Sequence, residues 1–493
     1  MHTLFPGNDA QIEINDAMIA EYYQKIDQYT KKYKEQIIAF CTDLYAYDHY
    51  KHYPSEIQAD VMTTFKTERN YNMVVSQSKC DSQFNSEYFK QFIEDSHQLI
   101  IPRKLIKKQN INSQYKSLID SIDEDKAQQT LLFQQYFTQR TASDTIYLDL
   151  GAGKGYLSSF LAFDCNQKIV SIEASEKHAI SLAKRIYSLT QRNQLYSPIF
   201  QYIKDDKITI EPAQHANLKL ATAFVDTTTD PDVLLHNAFT LKDFVRAQLS
   251  KSMEQEHRKH SQIQGKIGIS TSQLQQFQQT TNKYTVLGLH ACGDLSVTCL
   301  RLLSLPNVRS VFTVPCCYPH LTDNSFPLFQ PTHQIINNLK TDSNLTTVKL
   351  GLPKQLLNYA CTGFDEPVEN ARETVFKFHQ RAILEKCRLR NKQTVEKRAF
   401  KPGSGREWIQ KCVQEEGESI SMNEIKQIEE KCEEFKWAMN AHLIFRQISG
   451  QVLESMILVD RLLWMRAQKY NAQIDWCMGG QSGRGFVLWA TKE

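Results

Sequence analysis

Tyr147–Leu157 reads YLDLGAGKGYL. It passes from an apolar run, through three closely spaced glycines, into a segment where Leu157, Phe160 and Leu161 recur at helical spacing. Gly151, Gly153 and Gly155 let the backbone turn sharply and approach a ligand with no Cβ in the way. The helix start just beyond offers N–H groups and the positive end of a dipole to an anionic group. Strand, glycine loop and helix in this order are the opening of a nucleotide-binding α/β unit.

Outward from that loop, the runs IYLDL (Ile146–Leu150), IVSIE (Ile169–Glu173), LATAFVD (Leu220–Asp226), TVLGL (Thr285–Leu289) and VRSVFTV (Val308–Val314) are short and apolar or β-branched. Helical segments lie between several of them; in Glu176–Leu189, Ala179, Leu182, Ala183 and Ile186 form one apolar face. Strands alternating with helices imply a parallel sheet covered on both sides. A long polar insertion ending in TSQLQQFQQTTN reads as a surface excursion. Near the C-terminus VLESMILVDRLLWMRAQ reads as a helix, and IDWCM–GGQSG–RGFVLWAT as two strands around a glycine-rich turn. The expected organisation is an N-terminal helical region over 1–124, a sheet domain over 125–330 and 448–493, and a helical insertion over 331–447. In the first of these, Ile19, Tyr22, Tyr23, Ile26, Tyr29, Ile37 and Phe40 recur near a 3.6-residue period.

The chain has 493 residues, 58 Lys+Arg against 55 Asp+Glu, 41% hydrophobic and 23% charged residues, and only 18 Gly and 14 Pro. That is a core-forming composition, without the bias of disordered or collagen-like chains. No apolar run approaches the ~20 residues of a membrane span. The start, MHTLFPGNDAQ, has neither a basic nor an apolar segment, so it is no signal peptide. Twelve cysteines occur without repeated CxxC spacing, which reads as reduced thiols. Secretion, membrane insertion and a zinc-finger array are excluded, and a cytoplasmic or nuclear location is expected.

The ligand follows from the acids around the loop. A dinucleotide fingerprint needs a third glycine where this chain has Tyr156. Asp149 would repel a pyrophosphate but suits an ammonium group. Glu173, 22 residues after Gly151 at the end of the next strand run, is placed to accept from both ribose hydroxyls. Ammonium, carboxylate and ribose in one molecule describe S-adenosylmethionine. Asp149, Gly151, Gly153, Gly155 and Glu173 are the expected cofactor residues, with Asp226 near the adenosine. The competing reading is a loop kept only for its turn geometry.

GLHACGDL (Gly288–Leu295) and VPCCYP (Val314–Pro319) each follow an apolar strand, and strand C-termini border the ligand crevice of such a sheet. His290 and Asp294 are the candidates to take an acceptor's proton, and Tyr318 would offer an aromatic face beside the cofactor. The competing readings are a histidine bound to a backbone carbonyl, a helix cap and a core tyrosine. Cys292, Cys316 and Cys317 are expected to be inert thiols without a metal, because adjacent cysteines converge poorly on one tetrahedral ion.

LDLGAGKGYLS, GLHACGDLS and CCY in this order, with the helical ENARETVFKFHQRAIL (Glu369–Leu384), resemble the methyltransferase-like protein 25 family of S-adenosylmethionine-dependent methyltransferases. GLHACGDL and CCY together are also similar to a family of tRNA ribose methyltransferases. The resemblance implies a Rossmann-like class I methyltransferase sheet, here closed by a C-terminal β-hairpin, with S-adenosylmethionine as cofactor. For the acceptor, the stretch 386–406 holds eight basic residues against one acid and is a candidate RNA contact. The acidic stretch EEGESISMNEIKQIEEKCEEF after it competes for the same charges. RNA is favoured slightly over protein as acceptor. The alternative function is an inactive cofactor-binding scaffold or RNA-binding protein.

Overall fold

The computed structural model describes residues 16–66, 84–103, 109–115, 122–175, several positions between 177 and 189, 218–222, 283–339, 351–361, 368–390, 403–478 and 485–492. They fall into two compact units, one of residues 1–102 and 329–459, the other of residues 103–328 and 460–493.

The second unit is built on a seven-stranded sheet. Its strands are β1 (Thr145–Leu150), β2 (Ile169–Glu173), β3 (Leu218–Thr222), β4 (Lys283–Cys292), β5 (Val308–Cys316), β6 (Asn471–Trp476) and β7 (Phe486–Thr491). Their order is β3-β2-β1-β4-β5-β7-β6. The first five are parallel, and β7 runs antiparallel between β5 and β6. The apolar runs form these strands because they are buried on both faces; every residue of β2 is buried. Strand order reverses between β1 and β4, the switch point at which ligands bind in open α/β sheets. The helix Glu124–Thr138, capped by Asp123 accepting from the Lys126 amide at 3.0 Å, buries Phe133 and Phe137 in the sheet core with Leu161, Phe312, Val487 and Trp489. The turn between β6 and β7 and the polar insertion after β3 lie outside the described residues.

The seam between the units lies at 102/103 rather than at 124/125, for a packing reason. The Arg103 guanidinium sits over the Trp476 and Phe486 rings of the hairpin, at 5.3 and 5.2 Å from their centroids. Ile111, Tyr115 and Ile122 pack against Ala127, Leu131 and Phe160. Residues before the first strand therefore belong to the sheet unit's core.

The first unit is helical. Asp16–Lys32 buries Tyr22, Ile26 and Tyr29 along the face that the 3.6-residue period marks out. Tyr29, Tyr33, Phe92 and Phe445 form an aromatic cluster, with Phe92 stacked on Phe445 at 3.9 Å. The last long helix, Lys436–Ala467, starts well before the apolar run that announces it. No helix among the described residues is long and apolar enough to cross a membrane.

Candidate active site

The glycine loop closes on β2 through its backbone. The Gly151 and Ala152 amides donate to the Ile172 carbonyl at 2.8 and 3.1 Å. Gly151, Gly153 and Gly155 all have positive φ, at 70, 57 and 73°. At Gly155 a Cβ would come within 2.4 Å of Leu182 Cδ1, so only glycine fits that turn. The helix beyond is short, Tyr156–Ser159, and runs into a wider turn over Phe160–Asp164.

Glu173, buried at the end of β2, is the hub of the loop. Its Oε2 accepts from the Gly153 amide at 2.7 Å, and its Oε1 from the Ser175 amide at 2.7 Å. His178 Nδ1 stands 3.8 Å from Oε1. Each carboxylate oxygen keeps a lone pair beyond the bond it makes here, so the group can hold the loop and accept from a ligand diol together. Asp149, next to the loop on β1, is buried and accepts from the Ser158 hydroxyl. Burial pushes its carboxyl up to about 6, partly opposed by Ser158 and reinforced by the negative charge of Glu173. Ser158 carries no sequence signal of this role. Asp226 lies outside the described residues.

The second constellation gathers at the ends of β4 and β5. Between Gly288 and Ala291 the register with β5 shifts, and His290 sits in that irregularity with φ 57° and its side chain exposed. The shift brings Cys292 opposite Cys316 across the ladder. Cys317 follows in a left-handed turn, φ 50° and ψ 48°. Among the described residues, Cys292, Cys316 and Cys317 are the one group of side chains placed to share a metal ion, all three sulfurs lying within 4.8 Å of one another. Sequence reasoning expected adjacent cysteines to diverge; the positive φ at Cys317 is what turns its thiol back toward its neighbours.

Two expectations need correction. Asp294 does not cap its own helix, Asp294–Arg301, by its side chain. Its oxygens accept from the Thr322 amide and the Thr322 hydroxyl, both at 2.8 Å, and from the Ser325 hydroxyl. It is a clamp on the loop after β5, and the TDNS run supplies the turn hydroxyls that fill it. Tyr318 is 1% exposed and presents no face to an acceptor; its ring lies against the Arg461 guanidinium, 5.9 Å from centroid. Arg461 was missed. Its signal is the adjacent charges Asp460 and Arg461 inside the otherwise apolar MILVDRLLWM.

In the first unit, the described members of the basic run are paired at home. Arg388 bonds Glu385 and Glu416, Arg390 bonds the Ser419 carbonyl, and Arg406 Nε meets Glu429 at 2.5 Å. The acidic stretch thus takes up the ends of the run; residues 391–402 lie outside the described ones.

Residues 107–324 match the family model of a methyltransferase domain. Over that stretch the chain is similar to methyltransferase domains. The curated Mus musculus protein "Probable methyltransferase-like protein 25" is 22% identical over 242 residues, taking in 36% of this chain and 40% of that protein. The chain thus spans about two fifths of the length of that relative. Among solved structures, coclaurine N-methyltransferase bound to N-methylheliamine and SAH is similar at 11% identity, covering 88% of this chain and 100% of that chain. The TM-score is 0.23. The methyltransferase domain takes in the glycine loop, Glu173, and the ends of β4 and β5.

Proposed function

We propose that the methyltransferase domain uses S-adenosylmethionine as methyl donor and acts as an enzyme rather than a scaffold. One observation carries this reading: at the switch point of the sheet, a buried carboxylate, Glu173, is bonded to the amide of a glycine loop whose other flank holds a second buried carboxylate, Asp149. Ionised Asp149 attracts an ammonium group, the glycines bring the backbone close, and Glu173 accepts from ribose hydroxyls. S-adenosylmethionine supplies an electrophilic methyl group, so the acceptor's lone pair forms the new bond as the carbon–sulfur bond breaks. Catalysis then rests on positioning, with a base for the acceptor's proton. His290 is that base in our reading, because it is exposed at the end of β4 while Asp294 is occupied. Asp226 would flank the adenosine.

Tritium transfer from labelled cofactor to fractionated RNA and protein of cells lacking this protein tests the reading. Label is expected in RNA; label confined to protein would reassign the acceptor. No transfer to any fraction, by protein that binds the cofactor, would favour the scaffold.

The raised pKa of Asp149 gives a second test. Burial disfavours its charged form, so the folded chain holds this proton more tightly than the unfolded chain does. The stability that comes with the proton is complete well below pH 4 and is lost as pH rises through about 6. A ligand ammonium needs the ionised form. Cofactor affinity should therefore weaken as pH falls below about 6, approaching roughly tenfold per pH unit. Asp149→Asn should melt higher at pH 7, bind more weakly and lose this pH dependence. Calorimetry across pH that gave the variant the wild-type profile would remove Asp149 from the ligand site.

A further inference from the structure

The geometry points to a zinc site made by the thiolates of Cys292, Cys316 and Cys317 at the ends of β4 and β5. Cys292 Sγ stands 3.3 Å from Cys316 Sγ and 3.3 Å from Cys317 Sγ. A disulfide would need about 2.05 Å, so these are three thiols in contact. Zinc–sulfur bonds of about 2.3 Å put tetrahedral ligand sulfurs about 3.8 Å apart, so closing on the ion takes shifts of about half an ångström. The backbone fixes the arrangement from both sides. Cys292 and Cys316 are register partners on neighbouring strands, the Gly293 amide donates to the Cys316 carbonyl at 3.0 Å, and the left-handed turn at Cys317 adds the third sulfur. Cys316 is buried, Cys317 half-buried and Cys292 exposed, so the cluster has a protein floor and an open side through which an ion can enter.

Charge balance supports the assignment. Binding removes three thiol protons to solvent and forms three zinc–sulfur bonds, which leaves the centre with a net charge of −1. Arg461 is a buried cation within electrostatic reach of Cys316. This side chain is fully buried, and its three guanidinium nitrogens have no hydrogen-bond partner among the described residues. It lies over Tyr318, two residues from Cys316, and the charges it senses are those of Tyr318 and Asp460 first, then Asp294 and Cys316. Asp460 and Asp294 already offer it negative charge, but a buried guanidinium whose hydrogen bonds are unmet is costly. An anionic metal–thiolate centre on the Cys316 side would add to that compensation. Three protein ligands leave the fourth position, on the Cys292 side, to water or an incoming group, the arrangement of zinc sites that are not purely structural.

The inference is independent of the cofactor reading and is tested apart from it. Full-length protein produced with zinc should carry one equivalent by metal analysis. Its metal-free form, titrated with cobalt(II), should develop the near-ultraviolet sulfur-to-cobalt charge-transfer band of several thiolates, which zinc then abolishes. Cys292→Ser and Cys317→Ser should each weaken zinc binding by more than the roughly hundredfold typical of losing a supporting contact. Affinity should also fall with pH, because protons are released. Cys292 is exposed, so its serine variant is expected to fold, with the melting temperature as the check. Wild-type protein that takes up neither zinc nor cobalt, or that holds copper(I) alone, would overturn the proposal. So would a folded Cys292→Ser variant with undiminished zinc affinity.

Discussion

Removal of residues 471–493 should unfold the sheet unit rather than trim its edge. β7 is an interior strand between β5 and β6, and Phe486, Val487, Leu488, Trp489 and Ala490 are all buried. Trp489 stacks on Phe312 of β5, with centroids 5.8 Å apart and planes within 9°. Asp475 of β6 accepts from the Trp489 indole at 3.1 Å and from the Tyr136 hydroxyl, which ties the hairpin to the helix Glu124–Thr138. Burying a large apolar side chain is worth ~1.5–3 kcal/mol. The hairpin's share thus rivals the ~5–15 kcal/mol by which a whole domain is stable. The deletion also leaves β5 as a bare apolar edge open to aggregation. Far-ultraviolet dichroism and thermal melting should show no cooperative transition. A truncated chain with an unchanged melting temperature would mean that the hairpin is an accessory.

His290→Ala should leave cofactor affinity within a few-fold of wild type and cut turnover on the order of a hundredfold or more, the usual scale for a lost base. Its side chain is exposed at the strand irregularity, so truncation removes little packing. Asp294→Asn should behave differently. Asparagine keeps one oxygen but cannot replace all the bonds from Thr322 and Ser325, so the loop after β5 loosens and the melting temperature falls with turnover. The discriminating readout is the pH–rate profile. Loss of the ascending limb of rate against pH is expected in the His290 variant only. Two variants with the same profile as wild type would remove His290 from the chemistry.

Much of the architecture is legible in the chain because burial dictates it. Strands buried on both faces must be continuous apolar runs, as in IVSIE and VRSVFTV, and the loop between β1 and its helix must carry glycine where φ is positive. The hairpin is readable because two apolar runs flank a glycine-rich turn. Other features depend on contacts far apart in sequence. Arg103 belongs to the sheet unit because of rings more than 370 residues later. Asp294 looks like a cap until Thr322 and Ser325 are seen to donate to it instead. The thiols converge through a backbone angle at Cys317 that no spacing rule contains. Lys436–Ala467 begins before the apolar run because its residues up to Val459 belong to the helical unit, where polar residues such as His442 and Gln447 are buried among apolar ones.

The central claim is that the glycine loop and Glu173 hold S-adenosylmethionine, and titration of its demethylated product into wild type and Glu173→Ala by calorimetry tests it most directly. Saturable binding at one site per chain is expected for the wild type. The variant should bind more weakly by about 2–3 kcal/mol, the scale of charged hydrogen bonds to the two ribose hydroxyls. The variant's melting temperature separates lost ligand contacts from a loop loosened by the missing bond to Gly153. Equal affinities in the two folded proteins, or no binding to the wild type, would contradict the account.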